Sequence, residues 1–329
     1  MTMKSSHIIR ILVFTAGIAM LSSCARPLSV EHTEIALGTY VKTIVVTEKH
    51  SRHNAQTTIE QLYEQLFTFE GVFDYRNEYG ALNRFNEGDI LLRSDHDALF
   101  NLISESMEYA ELTDGYFDPS ILPLMRIWGF DGNAPHIPDP EVIAETVVLV
   151  DYTRLSIDTD RISKPATMEL DLGGIAKGKI VDIACGILRN AGFTDFLVDA
   201  GGDIFVSGRN GERKKWRVAI QDPQHRDTYS GILEKSDCAI VTSGNYENFF
   251  MSEGKRYSHL LNPFTGYPDS DILSVTIIAD EAAFGDAVAT AVFTMGSSAG
   301  YGFLIDSGIE GYIIYGEQQQ THSTPRFWD

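Results

Sequence analysis

The stretch Asp171-Leu172-Gly173-Gly174-Ile175-Ala176-Lys177-Gly178-Lys179-Ile180-Val181-Asp182 marks a change of period in the chain. Residues 167–170 read as a strand. After the glycines, Ile180, Ile183, Ala184, Ile187 and Leu188 recur at the spacing of a buried helix face, which predicts a helix over 175–191. A glycine turn that feeds a helix aims free N–H groups and a partial positive charge outward, a setting suited to phosphate oxygens. Lys177 adds a full charge. Gly173, Gly178 and Lys179 have Walker A spacing, but Ile180 stands where Ser or Thr would hold magnesium, and that argues against an ordinary P-loop NTPase. A tight strand-to-helix turn that simply requires glycine explains the same residues.

Upstream, residues 39–46 alternate as a strand, and Ile59, Leu62, Tyr63, Leu66 and Phe67 give residues 54–73 a helical face. A polar loop over 74–80 follows. A second amphipathic helix over 96–112 is closed by Asp114-Gly115, and residues 135–141 read as a proline-rich surface connection. Further strands are expected at 147–150, 155–157, 196–198, 204–206, 216–220, 240–242, 257–261, 274–278 and 311–315, with a helix over 284–295. Strands and helices mix without a βαβ rhythm or a repeat, so the fold class is α+β. At 329 residues, one large or two intimate domains are expected.

The formal net charge is -20. Such a field repels nucleic acid and anionic lipid, so no nucleic-acid partner is expected. Lys4 and Arg10 precede a short apolar run that ends in Leu21-Ser22-Ser23-Cys24, which resembles a bacterial lipobox. Residues 1–23 then form a lipoprotein signal peptide, Cys24 carries lipid, residues 24–32 are a tether, and 33–329 form the folded unit. An uncleaved anchor helix is the alternative, and either places the unit outside the cytoplasm. The expected localisation is the periplasmic side of the bacterial cell membrane. Cys185 and Cys238 are expected to stay unpaired, and neither has zinc-site spacing.

Asp286 and Thr290 are four apart on a predicted helix and offer two oxygens to one hard cation. That is too few for a calcium cage and suits magnesium that takes further ligands from water and phosphates. An N-cap aspartate with a solvent-facing threonine is the bland reading. His259, in Tyr257-Ser258-His259-Leu260-Leu261-Asn262-Pro263, suits proton relay or simply a hydrogen-bonded core position. Tyr116-Phe117-Asp118 sets aromatic rings beside a carboxylate, the lining of a flat heteroaromatic pocket or of an ordinary core loop. Ser243 lacks a Gly-x-Ser-x-Gly setting, so a serine nucleophile is not expected.

Taken in order along the chain, these motifs closely resemble the ApbE-like family of FAD:protein FMN transferases. The likeness includes Leu37-Gly38-Thr39, Gly80–Asn86, Gly115–Pro119, Asp171–Asp182, Gly201-Gly202-Asp203, Thr242–Tyr246, Ser258–Pro263 and Asp286–Gly296. The resemblance implies an α+β arrangement related to T-fold units, with FAD in a cleft between two halves. It implies magnesium ligands at Asp286, Thr290 and a backbone oxygen of Gly174, and FAD contacts at Asp171 and Lys177. Leu37, Tyr116, Phe117, Asp118 and Leu260 match positions that line the flavin or adenosine pocket. The loop Tyr75-Arg76-Asn77-Glu78 lacks a clear counterpart of the aromatic residue that covers FAD in the family; Asn77 or Arg76 stands there instead.

The implied chemistry is magnesium-dependent transfer of FMN from FAD, with loss of AMP, onto a Ser/Thr-Gly-Ala-Ser/Thr-like site of an electron-transfer protein. Asp286 (through the metal) and His259 (or a nearby carboxylate) carry the catalysis in this reading. The less covered site implies FAD hydrolysis as well. A non-catalytic periplasmic flavin-carrier lipoprotein is the alternative.

Overall fold

A computed structural model describes residues 27–329 apart from Leu37 and Arg226. In chain order the elements are β1 (Leu28–Ala36), β2 (Thr39–Thr47), α1 (Arg52–Phe73), α2 (Ala81–Glu87), β3 (Ile90–Leu92), α3 (Asp97–Leu112), α4 (Leu122–Trp128) and α5 (Pro140–Val147). Next come β4 (Ser156–Ile157), β5 (Arg161–Ser163), α6 (Gly173–Asn190), β6 (Phe196–Ala200), β7 (Asp203–Ser207), β8 (Trp216–Gln221), β9 (Tyr229–Lys235) and β10 (Cys238–Gly244). The chain ends with β11 (Phe249–Ser252), β12 (Lys255–Ser258), β13 (Ile272–Ala279), α7 (Ala282–Met295), α8 (Ser297–Ser307), β14 (Glu310–Tyr315) and β15 (Gln320–Ser323).

Eight strands form one antiparallel sheet in the order β1-β2-β6-β7-β10-β13-β14-β15. Because side chains alternate across a strand, each buried strand feeds two cores. In β10, Ala239 and Val241 join the core under α1, α6 and α7, while Ile240 joins Trp216, Val218, Leu233 and Phe327 on the other face. The β8–β9 hairpin and the C-terminal residues cover that second face. The mixed architecture agrees with the α+β class read from the sequence, and Cys185 and Cys238 are both free.

Three expectations are corrected. Residues 28–32, assigned to the tether, lie in β1, which pairs with β2 from Leu28↔Thr47 to Ala36↔Thr39. Val147 closes α5, which Pro140 begins from the favourable first-turn position, so residues 147–150 form no strand. Residues 167–170 are also not a strand. The Asn86 amide donates to the Leu170 carbonyl (2.9 Å) and accepts from the Leu170 N–H (2.8 Å), so one buried side chain takes the place of a neighbouring strand. Lys164 adds a hydrogen bond to the Met168 carbonyl at 2.8 Å.

What positions the site is the crossing of α6 and α7. At Gly178 an added Cβ would collide with the backbone of Ala282 and Ala283, so only glycine admits this approach. Asp182, one turn further along α6, accepts hydrogen bonds from the N–H groups of Ala282 and Ala283, both at 2.8 Å. A side chain of one helix thus caps the start of the other.

Candidate active site

The N-terminal turns of α6 and α7 meet over the end of β10, beside the 113–118 loop and the 259–263 segment. Asp171 Oδ1 accepts from the Gly173 N–H at 2.8 Å and fixes the glycine turn. Burial pushes the Asp171 carboxyl above its ordinary range, opposed by the Gly173 hydrogen bond and by nearby Arg76. One turn into α6, Lys177 Nζ bonds Asp203 Oδ2 at 2.5 Å and lies 3.5 Å from Asp286 Oδ1. Burial acts against the lysine charge, but the two carboxylates outweigh it, and its pKa rises. Asp203 is fully buried, and its Oδ1 has no hydrogen-bond partner among the described residues.

Asp286 is 2% exposed and accepts from the Gly178 N–H at 3.1 Å. The N-cap of α7 is Glu281, so Asp286 is not the capping aspartate of the bland reading. Thr290 is partly buried one turn on, and its hydroxyl makes no hydrogen bond among the described residues. Gly174 lies against it: an added Cβ would stand 3.3 Å from Thr290 Oγ1 and 3.2 Å from the Phe117 ring. In a regular α-helix the Gly174 carbonyl accepts one hydrogen bond, from the Gly178 N–H, and its second lone pair leaves the oxygen acceptor capacity. Asp286, Thr290 and the Gly174 carbonyl form a set of hard oxygen donors that fits magnesium. Among the described residues no group of three or more His, Cys, Asp or Glu forms a metal cage.

His259 Nδ1 lies 3.1 Å from the Asn248 carbonyl. A carbonyl only accepts, so Nδ1 carries the proton and Nε2 the free lone pair. Burial lowers the ring's pKa to about 4 and keeps it neutral. Asp118 is held by the Ser120 N–H (2.8 Å), the Ser120 hydroxyl (2.7 Å) and the Tyr152 N–H (3.0 Å), and burial raises its pKa.

Tyr116, Phe117, Asp118, Asp171, Gly174, Lys177, His259, Leu260, Asp286 and Thr290 all line one cleft of about 820 Å³. Lys177, Glu247 and His259 also belong to the wall of a second, wider basin of about 1720 Å³, which reaches Gly38, Thr39, Arg76 and the strand β8.

Asn77 does not line either space. Its amide donates to the Gly71 carbonyl (2.8 Å) and accepts from the Tyr79 N–H (3.1 Å), which holds it inside its own loop. Its neighbours face the site instead: Tyr75, 9% exposed, and Arg76 line a recess with Asp171, Gly173 and Lys177. The loop therefore sets an aromatic ring, Tyr75, beside Asp171, Gly173 and Lys177, which also line the cleft. Leu37 and Cys24 lie outside the described residues. Sequence reasoning also missed Asp203 as the partner of Lys177, and Glu247. Asp203 was visible only as the end of a Gly-Gly-Asp turn, and Glu247 gave no signal.

A profile of the ApbE family matches residues 37–313. The chain belongs to the ApbE family. It is 29% identical to the FAD:protein FMN transferase of Treponema pallidum over 96% of this chain and 94% of that protein. The FAD:protein FMN transferase of Vibrio cholerae is 29% identical over 88% of each chain. Among solved ApbE structures, the protein of Thermotoga maritima superposes with a TM-score of 0.85 at 30% identity, covering 91% of this chain and 98% of that one. The apo flavinyl transferase ApbE of Pseudomonas stutzeri gives 0.83 at 26% identity, covering 92% and 97%.

Proposed function

We propose that this ApbE-family transferase is a magnesium-dependent FAD:protein FMN transferase. The observation that carries the reading is the position of Lys177, at the wall shared by the two basins and beside the Asp286, Thr290 and Gly174 oxygens. A ligand with two bulky ends and an anionic middle fits such a wall: adenosine in the apolar 820 Å³ cleft, riboflavin in the wider basin, pyrophosphate between. Magnesium held by Asp286, Thr290 and the Gly174 carbonyl would neutralise pyrophosphate charge and polarise its P–O bonds.

The chain's own groups supply the rest. Lys177 and the N–H groups of the α6 turn hold the phosphate oxygens, and Asp203 keeps Lys177 charged and aimed. Tyr116, Phe117 and Leu260 exclude water from the adenosine side. The acceptor Ser or Thr oxygen bonds to the phosphorus on the riboflavin side, its proton passes to His259 Nε2, and the bond to AMP breaks. Water that enters through the wide basin takes the acceptor's place in a slower side reaction, giving FMN and AMP.

The acceptor is an electron-transfer protein with a Ser/Thr-Gly-Ala-Ser/Thr-like site, and the enzyme is held at the periplasmic side of the cell membrane by lipid on Cys24. Mixing the protein, FAD, magnesium and such an acceptor should add the mass of FMN, less water, to the acceptor and release AMP. FAD that stays intact with no adduct would leave only the flavin-carrier reading.

A further inference from the structure

The charge of this chain is not evenly spread. Residues 209–217 carry Arg209, Arg213, Lys214, Lys215 and Arg217 against one acidic residue, Glu212, in a sequence whose acidic side chains outnumber the basic ones 46 to 26. All five basic side chains are exposed. Lys214 pairs with Glu212 and Arg217 with Glu234, but Arg209, Arg213 and Lys215 have no ion pair among the described residues. This segment lies beside the first described residues. Pro27, the first described residue, lines a recess with Thr47, Glu48, Asp195, Asn210 and Arg213, and an added Cβ on Gly211 would stand 3.1 Å from Ser29 Oγ. Asp195 ties the parts together: its carbonyl accepts from the Val46 N–H at 2.8 Å and its carboxylate from the Arg209 N–H at 2.7 Å. Lys49 and Arg52, exposed and without an ion pair among the described residues, follow Glu48 of that recess in the chain.

From this geometry we infer that the basic surface formed by residues 209–217 with Lys49 and Arg52 docks on anionic phospholipid headgroups. The inference rests on the proposed membrane attachment through the segment that precedes Pro27, whether by lipid on Cys24 or by an uncleaved helix; both bring the bilayer to this end. The net charge that repels anionic lipid at a distance is overridden locally, because surface charges act over roughly 8 Å at physiological salt. Glu48, Asp195, Glu212, Glu234 and Asp237 are the opposing carboxylates, and these five are fewer than the seven cations. β2 runs from Thr47 at the recess to Thr39 at the wide basin. At about 3.3 Å per residue, this strand sets the basin roughly 25 Å from the recess and so away from a lipid surface docked there.

The described core residues lie between Val30 and Phe327, and a solved relative covers 91% of this chain, so a chain that starts at Ala25 retains every described core residue and tests the surface without lipid. That chain should float with vesicles of phosphatidylcholine mixed with phosphatidylglycerol at low salt, and not with phosphatidylcholine alone. Arg209→Gln, Arg213→Gln, Lys214→Gln and Lys215→Gln together should weaken the binding at least about tenfold, each cation being worth roughly fivefold. The FMN-transfer rate and melting temperature should stay unchanged. Inorganic phosphate at matched ionic strength should compete no better than chloride, which separates a headgroup surface from a phosphate site. Equal flotation with both vesicle types, or a variant that binds like the parent, overturns the proposal. The mass of the N-terminal peptide of the cell-made protein reads Cys24 lipidation separately, so a missing lipid would refute the anchor without touching the vesicle result.

Discussion

Gly178 donates its backbone N–H to Asp286 Oδ2 at 3.1 Å, across the contact between α6 and α7. The carboxylate proposed to hold the metal is thereby aimed by the helix that supplies Lys177. The absence of a side chain at Gly178 allows the helices this close, and Asp182 caps α7 from the same face of α6. The two motifs that carry the chemistry are therefore one mechanical unit, although more than a hundred residues separate them in the chain.

Asp286→Asn should remove the negative charge proposed to hold magnesium while keeping an oxygen near the Gly178 N–H. FMN transfer should fall by roughly 10²–10³, the usual effect of losing one preorganised electrostatic group. Calorimetric titration should show magnesium affinity lost, and melting should change little. Unchanged AMP release at saturating magnesium would remove Asp286 from the metal site.

Gly178→Ala should separate the helices. The new methyl meets the Ala282 backbone rather than the end of a flexible side chain, so the strain has no cheap escape. A loss of roughly 1–3 kcal/mol is expected, visible in urea unfolding, together with reduced FAD turnover. Gly186→Ala on the same helix, where an added Cβ has open space, serves as the control and should be neutral or stabilising. A stable, active Gly178→Ala variant would show that the helices tolerate a wider spacing.

These examples also show what sequence could convey. The Asp171–Asp182 turn and the Asp286/Thr290 pair were readable because their spacing is local: one turn of helix places the relevant atoms. Asp203 and Glu247 reach the Lys177 neighbourhood only after β6, β7 and β10 assemble, so no periodicity announces them. Residues 167–170 looked like a strand because their alternation is real. The partner of Leu170 is the Asn86 side chain, a long-range contact that pattern alone does not distinguish from a neighbouring strand. The polar 74–80 loop shows the same limit: local turn hydrogen bonds hold Asn77 to Gly71 and Tyr79, while Tyr75 and Arg76 line the recess.

Asp182→Ala should cost about 1–2 kcal/mol by stripping the cap from α7. The pH dependence has a definite sign. Burial, together with lesser effects, raises the Asp182 pKa from 3.8 to about 6. The folded chain therefore holds this proton while the unfolded chain has released it, and stability from this group is lost as pH rises from 3.8 through 6. The parent's advantage over Asp182→Ala should be greatest near pH 4, shrink between pH 4 and 6, and level off above that. Paired urea titrations at both pH values would expose a flat or inverted trend, which would contradict this assignment.

His259 allows a sharper test, because its tautomer and its charge are both set by surroundings. Burial outweighs the Asn248 hydrogen bond and lowers its pKa from 6.5 to about 4, so Nε2 remains an unprotonated base through neutral and mildly acidic pH. In the unfolded chain the ring takes a proton first, so stability from this residue is present above pH 6.5 and is lost as pH falls toward 4. Catalysis should follow the folded value: kcat/KM for FMN transfer should stay level from pH 7.5 to about 5 and decline only near 4. His259→Gln should reduce transfer by roughly 10²–10⁴ and abolish that acid limb while FAD binding, followed by flavin fluorescence, persists. An acid limb centred near 6.5 in the parent, or one that survives in the variant, would assign proton removal to another group, with Glu247 the next candidate on the same wall of the cleft.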